Sequence, residues 1–352
     1  MAILKVPLRS NGAYVIAEAG VNHNGQLDLA KKLIDVAVRA GADAVKFQLF
    51  DPDELASDIA PLAAYQERSG EENQKAMLRR LTLPLDAYRE LKEYAEAHGI
   101  DFITTPFDAA SARFLAGLHV KAIKIPSSEL TNTFFLQEVA GFGIPVILST
   151  GQATLEEIHE AVQPFQKARL PFALLHCVSS YPSPIAQSNL KAMETLRREF
   201  SVPVGYSDHT EGIDVTVMAA SLGAEILEKH FTLDRTMTGP DHAASIEPDE
   251  LTEMIRRIRD PQTLRSTIVP SDILGDGEKK CQPCEVGVRA VSRRSVTAAQ
   301  NIAAGTVLRR EMLAIRRPGT GIAPRDVDTV IGKTLLRPLK AGEVILWDTV
   351  SH

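Results

Sequence analysis

The pattern that decides the fold begins at Tyr14–His23 (YVIAEAGVNH), where a short apolar run ends in polar and ionisable side chains. Seven further apolar runs end in the same way, in clusters that begin at Lys46, Thr104, Lys124, Ser149, His176, Ser207 and Glu228. Continuous apolar runs are typical of parallel strands that are buried on both faces. If all of the runs are such strands, the polar clusters lie at the carboxyl edge of one sheet, where α/β enzymes carry their chemistry. The pattern therefore predicts an enzyme.

Helical patterns separate the runs. Leu29–Ala40 has its apolar residues on one face and stops at Gly41, and Thr154–Glu157 is a capping box that opens another helix. Pro248–Arg259 follows the last run, with acidic residues first and arginines last. Repeated strand–helix units over about 260 residues predict an α/β fold, a (β/α)8 TIM barrel rather than an open sheet. The predicted strands are Tyr14–Val21, Ala42–Leu49, Asp101–Pro106, Val120–Pro126, Pro145–Thr150, Phe172–Val178, Val202–Tyr206 and Glu225–His230.

Two regions depart from the strand–helix rhythm. Asp51–Leu83 is long and polar, as loops that serve a site often are. Pro261–Glu285 loses periodicity, and short apolar segments with glycine turns follow it, which predicts a small β-rich domain. Two of those segments echo each other, Ile302–Leu308 and Leu339–Ile345. We therefore predict a catalytic barrel over residues 1–265, a linker over 266–288 and a β-rich domain over 289–352.

Composition narrows the class of protein. A net charge of −6 over 352 residues gives no global basic surface, so no nucleic-acid partner is expected. No apolar stretch reaches the roughly 18–20 residues that span a bilayer, and the amino terminus has no signal-peptide core. Three cysteines do not make a disulfide framework, and Cys281 and Cys284 are predicted to be ordinary linker cysteines. We expect a protein of the reducing cytoplasm that does not act at a membrane.

Two histidines stand at the ends of neighbouring predicted strands. His209 and His230 can reach one ion, and imidazole suits divalent transition metals. Asp208 could orient one of them by accepting a hydrogen bond from the ring nitrogen that does not face the ion. The alternative is that both are hydrogen-bonded polar residues at a sheet edge.

Lysines and hydroxyls form the next group. Lys46 and Lys124 lie inside apolar runs, where an unpaired ammonium is costly. Together with Ser127, Ser149 and Ser207 they could hold a phosphate or carboxylate. A Schiff-base lysine is the competing interpretation.

Two carboxylates end the first and fourth predicted strands. Glu18 and Glu129 could each act as a general base if the environment adjusts the pKa. The alternative for each is a salt bridge to Lys46 or Lys124.

The ordered motifs of the chain resemble those of the sialic acid synthase family. They are IAEAGVNHNG (16–25), VKFQ (45–48), TPF (105–107), KIPSSE (124–129), LSTG (148–151), HCVSSYP (176–182), GYSDHT (205–210), EKHFTLD (228–234) and GPDH (239–242). The carboxyl-terminal unit resembles the antifreeze-like (SAF) domain that ends those proteins. The resemblance covers nearly the whole chain.

The resemblance implies condensation of phosphoenolpyruvate with an N-acyl hexosamine, which gives a nine-carbon 2-keto sugar acid and phosphate. The acceptor it implies is N-acetylmannosamine, its 6-phosphate or a 2,4-diacetamido-2,4,6-trideoxy hexose. It also implies Mn²⁺, or another divalent ion such as Mg²⁺ or Co²⁺, on His209 and His230, and a catalytic role for Glu129, Lys46 and His230. Phosphoenolpyruvate would contact Lys46, Thr105, Lys124, Ser127, Ser149, Ser179 and Ser207. The sugar would contact Glu18, Gln48, Tyr181, Asp241 and Arg317, the last from the SAF domain of a second subunit in a domain-swapped homodimer.

Glu129 is the favoured base for the addition of water in that reaction. Two departures bear on the phosphate contacts: Ser179 stands where the family has Asn, and Pro126 and Ser128 flank Ser127 where glycines are usual. Two other functions compete with the synthase. One is a pyruvate aldolase that uses Lys46 or Lys124 as a Schiff base, and the other is a sugar-binding or regulatory protein.

Overall fold

Eight parallel strands form one closed barrel in a computed structural model that describes residues 12–351, apart from the side chain of Arg68. The strands are β1 (Tyr14–Gly20), β2 (Ala44–Leu49), β3 (Asp101–Pro106), β4 (Ile123–Ile125), β5 (Val146–Ser149), β6 (Phe172–Cys177), β7 (Val204–Asp208) and β8 (Ile226–His230). Each pairs in parallel with the next strand along the chain, and β1 also pairs with β8, which closes the sheet. The predicted TIM barrel is confirmed. The predicted absence of a signal peptide concerns residues that lie outside the described range.

The barrel interior changes from apolar to polar along each strand. Tyr14 and Ile16 on β1, and Ile226 on β8, belong to a buried apolar layer inside the sheet. Because side chains alternate between the two faces, the next inward positions are Glu18 on β1 and Glu228 on β8. The apolar layer fills the amino-terminal end of the barrel, so the polar side chains meet at the carboxyl end.

Helices cover the outer face of the barrel, and local sequence sets their ends. The helix that begins at Leu27 ends before Gly41, whose φ of +80° lets its N–H reach the carbonyls of Ala37 and Val38. The capping box of Thr154 and Glu157 is present, and the predicted bounds of Pro248–Arg259 are confirmed. The helices are α1 (Leu27–Ala40), α2 (Pro52–Leu55), α3 (Gln74–Leu81), α4 (Leu85–Ala97), α5 (Ala109–Gly117), α6 (Thr133–Gly141), α7 (Leu155–Lys167), α8 (Ala192–Phe200), α9 (Asp214–Ser221), α10 (Pro248–Arg259), α11 (Pro261–Ser266), α12 (Ser271–Leu274), α13 (Val286–Ser292) and α14 (Val327–Val330).

The long connection after β2 is more ordered than its polar sequence suggests. It contains α2, α3 and a 3₁₀ turn over Ala64–Ser69. Its apolar residues pack with Val21, Phe50 and Phe107 into a small cluster of their own, beside the mouth of the barrel. The connection therefore forms a wall rather than a free loop.

The chain after α10 leads through α11, α12 and α13 to the carboxyl-terminal unit. There β9 (Ser295–Ala298) and β10 (Leu313–Arg316) pair antiparallel. The two echoing segments pair with each other at Ile302 and Leu339, and each turns at a glycine with positive φ, Gly305 or Gly342. The unit has its own apolar core. The limits of the three predicted domains stay predictions, and α13 runs across the limit at 288/289.

Membrane-spanning helices were sought among residues 12–351. None of the helices there is both long enough and apolar enough to cross a bilayer.

Candidate active site

A single pocket at the carboxyl end of the barrel gathers the predicted site residues. Every predicted residue except Glu129 lines it. The lining residues predicted from the sequence are Glu18, Lys46, Gln48, Thr105, Lys124, Ser127, Ser149, Ser179, Tyr181, Ser207, His209, His230, Asp241 and Arg317. Because these residues come from all parts of the barrel, the closure of the sheet is what assembles the site.

Lys46 lies next to two buried carboxylates, Glu18 and Glu228. Lys46 Nζ lies 2.8 Å from Glu18 Oε2, so the salt bridge considered for Glu18 is present, and it donates to Thr105 Oγ1 at 3.1 Å. Burial lowers the pKa of Lys46, but Glu18 and Glu228 outweigh it and raise that pKa above its ordinary value. The raised pKa favours the protonated form of Lys46, which is the form that can hold an anion.

Lys124 has a different environment. Its Nζ donates to Ser149 Oγ at 2.7 Å, and the nearest carboxylate oxygen, Glu228 Oε1, is 3.7 Å away. Burial and the charge of Lys46 lower the pKa of Lys124 in spite of Glu228. An anion bound next to Lys124 would favour its protonated form, as Glu228 does.

Glu228 also lines the pocket, and the sequence reasoning gave it no role there. Its Oε1 accepts a hydrogen bond from Ser207 Oγ at 3.0 Å and lies 3.7 Å from Nζ of both lysines. Burial opposes its ionisation, but Lys124 and Lys46 hold the pKa of Glu228 below its ordinary value. The available signal was the period of the strand, since Glu228 and His230 share one face of β8.

Lys229 and Asp208 form a separate buried pair on the other face of these strands. Asp208 Oδ2 lies 2.9 Å from Lys229 Nζ, and the carboxylate also accepts bonds from Thr210 and Thr216. The suggestion that Asp208 orients a histidine is therefore replaced by a structural ion pair between neighbouring strands.

The two histidines lie side by side, with ring centroids 5.4 Å apart. His209 Nδ1 donates to the Val178 carbonyl at 3.1 Å, which leaves Nε2 as the free acceptor, the arrangement typical of a metal ligand. His230 Nδ1 is buried and has no hydrogen-bond partner. Burial lowers the pKa of both rings, so both are neutral near pH 7, the form that binds metal. The pair fits a divalent cation.

Larger metal-binding clusters were sought among the described residues. Within residues 12–351, no group of three or more His, Cys, Asp or Glu side chains is arranged to hold an ion. Cys281 and Cys284 are free thiols, and burial raises the pKa of each, which disfavours the thiolate that binds metal. The two imidazoles are therefore the protein's candidate ligands.

Gln48, Glu18 and Asp241 come together next to Gly20, beside Lys46 and His230. A Cβ at Gly20 would lie 3.2 Å from Gln48 Nε2, 3.3 Å from Glu18 Oε1 and 3.5 Å from Asp241 Oδ2. A side chain at this position would crowd these three hydrogen-bonding groups, so the glycine lets them lie close together. Burial and the charge of Glu18 raise the pKa of Asp241 to about 7. Asp241 is therefore partly protonated at neutral pH and can either give or accept a proton.

Arg317 reaches the pocket of its own barrel. Its guanidinium lies 5.5 Å from the ring centroid of Phe107 and makes only long contacts, 3.4 Å each, to Gln74 and Ser128. Its Nε is buried without a hydrogen-bond partner. The domain-swapped homodimer, in which a second subunit supplies this arginine, stays a prediction. The guanidinium of Arg317 therefore has N–H groups that are available to donate to an acceptor in the pocket.

The wall after β2 closes the pocket on the apolar side. Tyr65 packs on Tyr181 with ring centroids 4.7 Å apart, and the Tyr181 ring in turn packs on His209 at 4.4 Å. The apolar side chains that line this side are Val21, Phe50, Leu55, Ala63, Met77, Leu78, Leu81 and Phe107, with Val288 and Val291 from α13. Sequence reasoning flagged the connection and quoted Val21 and Phe107 within motifs, but it assigned none of these side chains to the pocket.

Glu129 lies behind the pocket wall. It is fully buried, its Oε1 accepts from Arg294 Nε at 2.8 Å and its Oε2 accepts from Asn132 Nδ2 at 2.9 Å. The alternative of a salt bridge to Lys46 or Lys124 is corrected: the partner is an arginine at the start of the carboxyl-terminal unit. The role of Glu129 as a base stays a prediction.

Known proteins match this chain over nearly its whole length. The model of the NeuB family matches residues 33–269, and that of the SAF domain matches residues 293–351. The chain is 44% identical over 344 residues to an N,N'-diacetyllegionaminic acid synthase of Legionella pneumophila, across 96% of this chain and 94% of that protein. It is 33% identical over 347 residues to the N-acetylneuraminate-9-phosphate synthase of Homo sapiens, across 96% and 93%. The crystal structure of the spore coat polysaccharide biosynthesis protein SpsE of Bacillus subtilis superposes with a TM-score of 0.82 and 31% identity, across 98% of this chain and 96% of that one.

Proposed function

This chain belongs to the NeuB family, and we propose that it condenses phosphoenolpyruvate with an N-acyl hexosamine to give a nine-carbon 2-keto sugar acid and phosphate. The observation that carries the proposal is the pocket itself, where two lysines, serine hydroxyls and two neutral histidines face one cavity. Its relatives are named synthases, so the chain is an enzyme and the sugar-binding alternative is set aside.

The reaction makes one carbon–carbon bond and replaces the bond from C2 to the phosphate oxygen by a bond from C2 to an oxygen of water. The methylene carbon of phosphoenolpyruvate bonds to the aldehyde carbon of the open-chain sugar, and the aldehyde oxygen takes up a proton. Formation of this bond leaves C2 of the phosphoenolpyruvate part electron-poor, and water adds there. One proton of the water balances the proton taken up by the aldehyde oxygen, and the other ends on the phosphate. The C2–O bond to phosphate breaks, so that phosphate leaves and the keto oxygen comes from water.

The chain's own groups would hold phosphoenolpyruvate on the lysine side. Lys46 and Lys124, with Ser127, Ser149 and Ser207, offer donors to its phosphate and carboxylate. Glu228 keeps the lysines from repelling each other and helps to keep them protonated before the anion arrives. These groups would hold the methylene carbon near the sugar. Holding two substrates in the right geometry lowers the barrier of a reaction between them.

The sugar would bind between the Gly20 side and Arg317. Arg317 would donate to an acyl carbonyl, and Glu18, Gln48 and Tyr181 would face hydroxyls. Asp241, with a pKa near 7, is suited to exchange a proton with a sugar oxygen. His209 and His230 would hold a divalent ion such as Mn²⁺, and this ion would supply Lewis-acid chemistry when bound.

For the acceptor we propose an unphosphorylated 2,4-diacetamido-2,4,6-trideoxy hexose. Two methyl groups and a deoxy carbon would suit the apolar wall of Val21, Met77, Leu78 and their neighbours. A sugar 6-phosphate would need a second cationic site, and the pocket-lining residues in the described range offer only Arg317 besides the two lysines. The relative from Legionella pneumophila, named for a diacetylated product, supports the same choice.

The test combines metal-stripped protein, phosphoenolpyruvate and one acceptor at a time, with and without Mn²⁺. The acceptors are the diacetamido sugar, N-acetylmannosamine and its 6-phosphate, and both phosphate release and product mass are recorded. Metal-dependent release with the diacetamido sugar is expected. Release with the 6-phosphate alone would overturn the acceptor assignment, and silence with all three in folded, metal-loaded protein would overturn the reaction. Borohydride with pyruvate should trap no lysine, whereas trapping would support the Schiff-base aldolase.

A further inference from the structure

The turn after β5 is held from outside the barrel. Gln152 has a left-handed backbone with φ of +60°, which is uncommon for a residue other than glycine. Its N–H donates to Glu285 Oε1 at 2.7 Å, its carbonyl accepts from Arg289 and Arg293, and its side-chain amide donates to Ser292 Oγ at 3.1 Å. All four partners lie between residues 285 and 293. The chain that joins the barrel to the carboxyl-terminal unit therefore sets the conformation of this turn.

One carboxylate ties two loops of the site together. Glu285 is fully buried, and its Oε1 accepts from the N–H of Ser179 at 2.6 Å as well as from that of Gln152. Its Oε2 accepts from the N–H of Gln282 at 2.8 Å, which anchors the carboxylate in its own segment. Charge-assisted bonds to backbone N–H groups are among the stronger hydrogen bonds of a protein. Glu285 thus fixes the loops after β5 and β6 relative to each other.

These two loops pack with almost no spare space beside the phosphate side of the pocket. A Cβ at Gly151 would lie 2.2 Å from Ser179 Oγ and 2.9 Å from Ser127 Oγ. The N–H of Gly151 donates to Ser127 Oγ at 2.9 Å. A shift of either loop would therefore move Ser127 and Ser179, which both line the pocket.

We propose that Glu285 is a positioning residue for the phosphoenolpyruvate half of the site. It does not line the pocket and acts through the backbone of Gln152 and Ser179. Buried Lys279 stabilises the same loop by donating to the Ala153 carbonyl at 3.1 Å. This inference rests on the proposed function, and it adds that Glu285 supports the binding of phosphoenolpyruvate more than that of the sugar.

The experiment compares E285Q with E278Q. The amide in E285Q keeps the size of the side chain but replaces one accepting oxygen by a donor that faces a backbone N–H. Glu278 is exposed on the same segment and pairs only with Lys280 in the described structure, so E278Q is the matched control. We expect E285Q to raise the KM for phosphoenolpyruvate about tenfold or more, with the sugar KM within about twofold of wild type, because small displacements of positioning groups are costly. E278Q should change neither. Equal rises in both KM values, or none, would overturn the proposal.

Two further measurements separate the possible failures. If the wild-type protein turns over none of the acceptors, the proposed function fails, whereas calorimetric binding of phosphoenolpyruvate to wild type and E285Q still tests the positioning role. If E285Q does not fold, amide hydrogen exchange of the wild type takes its place. Phosphoenolpyruvate should then slow exchange in 151–153, at Ser179 and in 282–285 together. Slowing that spares 282–285 would overturn the role of Glu285.

Discussion

Glu129 and Arg294 form a buried ion pair between the barrel and the carboxyl-terminal unit, with Oε1 and Nε 2.8 Å apart. Arg294 also donates to the carbonyls of Glu54 at 2.8 Å and Ile315 at 2.9 Å, and to that of Phe107. Every polar side-chain atom of Glu129 and Arg294 therefore has a hydrogen-bond partner. The pair joins the turn that carries Ser127 and Ser128 to the start of the unit that carries Arg317.

Removal of the Glu129 charge should destabilise the protein. We expect E129Q to lower the free energy of unfolding by about 3 kcal/mol, because Arg294 would stay buried without its counter-charge. Urea unfolding measures this change. Glu160 and Arg325 provide the control, because they form an exposed pair between the same two units at 2.6 Å, and E160Q should cost no more than about 1 kcal/mol. Equal losses in the two variants would contradict the anchoring role of Glu129.

The same variant also tests Glu129 as the general base. The base role implies a kcat at least about a hundredfold lower in folded E129Q. Near-full turnover at saturating substrates would contradict that role and leave Glu129 as an anchor alone.

E228Q should shift the pH dependence of phosphoenolpyruvate use. Burial already lowers the pKa of Lys124, and the Glu228 carboxylate opposes that effect. Loss of the carboxylate should lower the pKa further, so Lys124 should lose its proton at a lower pH. Since the protonated lysine binds the anion, kcat/KM for phosphoenolpyruvate should begin its alkaline decline at a lower pH than in wild type.

The control for this shift is E225Q, at the amino end of the same strand region, where Glu225 accepts from the N–H of Val204 at 3.2 Å. Its pH profile should match that of wild type. An alkaline limb in E228Q that coincides with wild type, or moves to higher pH, would show that Glu228 does not support Lys124.

Substitution of either candidate ligand should weaken Mn²⁺ binding, whether or not the enzyme turns over. We expect H209N and H230N each to bind Mn²⁺ at least about tenfold more weakly, as judged by electron paramagnetic resonance of the free ion. Because burial lowers the pKa of both rings, wild-type binding should persist below about pH 6.5, where an ordinary imidazole takes up a proton. The exposed His159 on α7 gives the control H159N. Unchanged Mn²⁺ affinity in both site variants would exclude the histidine pair as the metal site.

Arg317 should act on the sugar and not on phosphoenolpyruvate. R317M removes a buried charged donor, and a hydrogen bond to a charged group contributes about 1.5–3 kcal/mol, so the acceptor KM should rise about tenfold or more. The KM for phosphoenolpyruvate should stay near that of wild type. Its neighbour Arg316 pairs with Glu54 at 3.4 Å, and R316M is the control. A rise confined to the KM for phosphoenolpyruvate would place Arg317 in the other half of the site.

Much of the barrel could be predicted because its signals are local. Apolar runs, glycine stops and capping boxes lie within a few residues of the elements that they specify, as at Gly41 and Thr154. The ends of strands were less certain: β4 stops at Ile125, just before Pro126, whereas β7 continues past Tyr206 to Asp208. Pro126 has no N–H to donate to a neighbouring strand, so β4 ends before it. Asp208 extends β7, where its carboxylate pairs with the buried Lys229 of β8.

The parts of the site that sequence reasoning missed depend on partners far apart in the chain. Glu228 was quoted within its motif, but its role follows from Lys46 and Lys124, which only closure of the barrel brings near. Glu129 meets an arginine 165 residues away, and Glu285 meets the backbone of Ser179 from 106 residues away. Local sequence patterns do not predict such contacts, because they form only when distant segments pack together in the folded protein.

The central claim, condensation with cleavage of the carbon–oxygen bond of phosphoenolpyruvate, can be tested by labelling the bridging oxygen with oxygen-18. The labelled compound is incubated with the protein, Mn²⁺ and the diacetamido sugar, and both products are analysed by mass spectrometry. The label is predicted to appear in inorganic phosphate, with none in the nine-carbon keto acid. Label in the keto acid or in pyruvate would mean that the phosphorus–oxygen bond breaks instead, and it would contradict the proposed reaction.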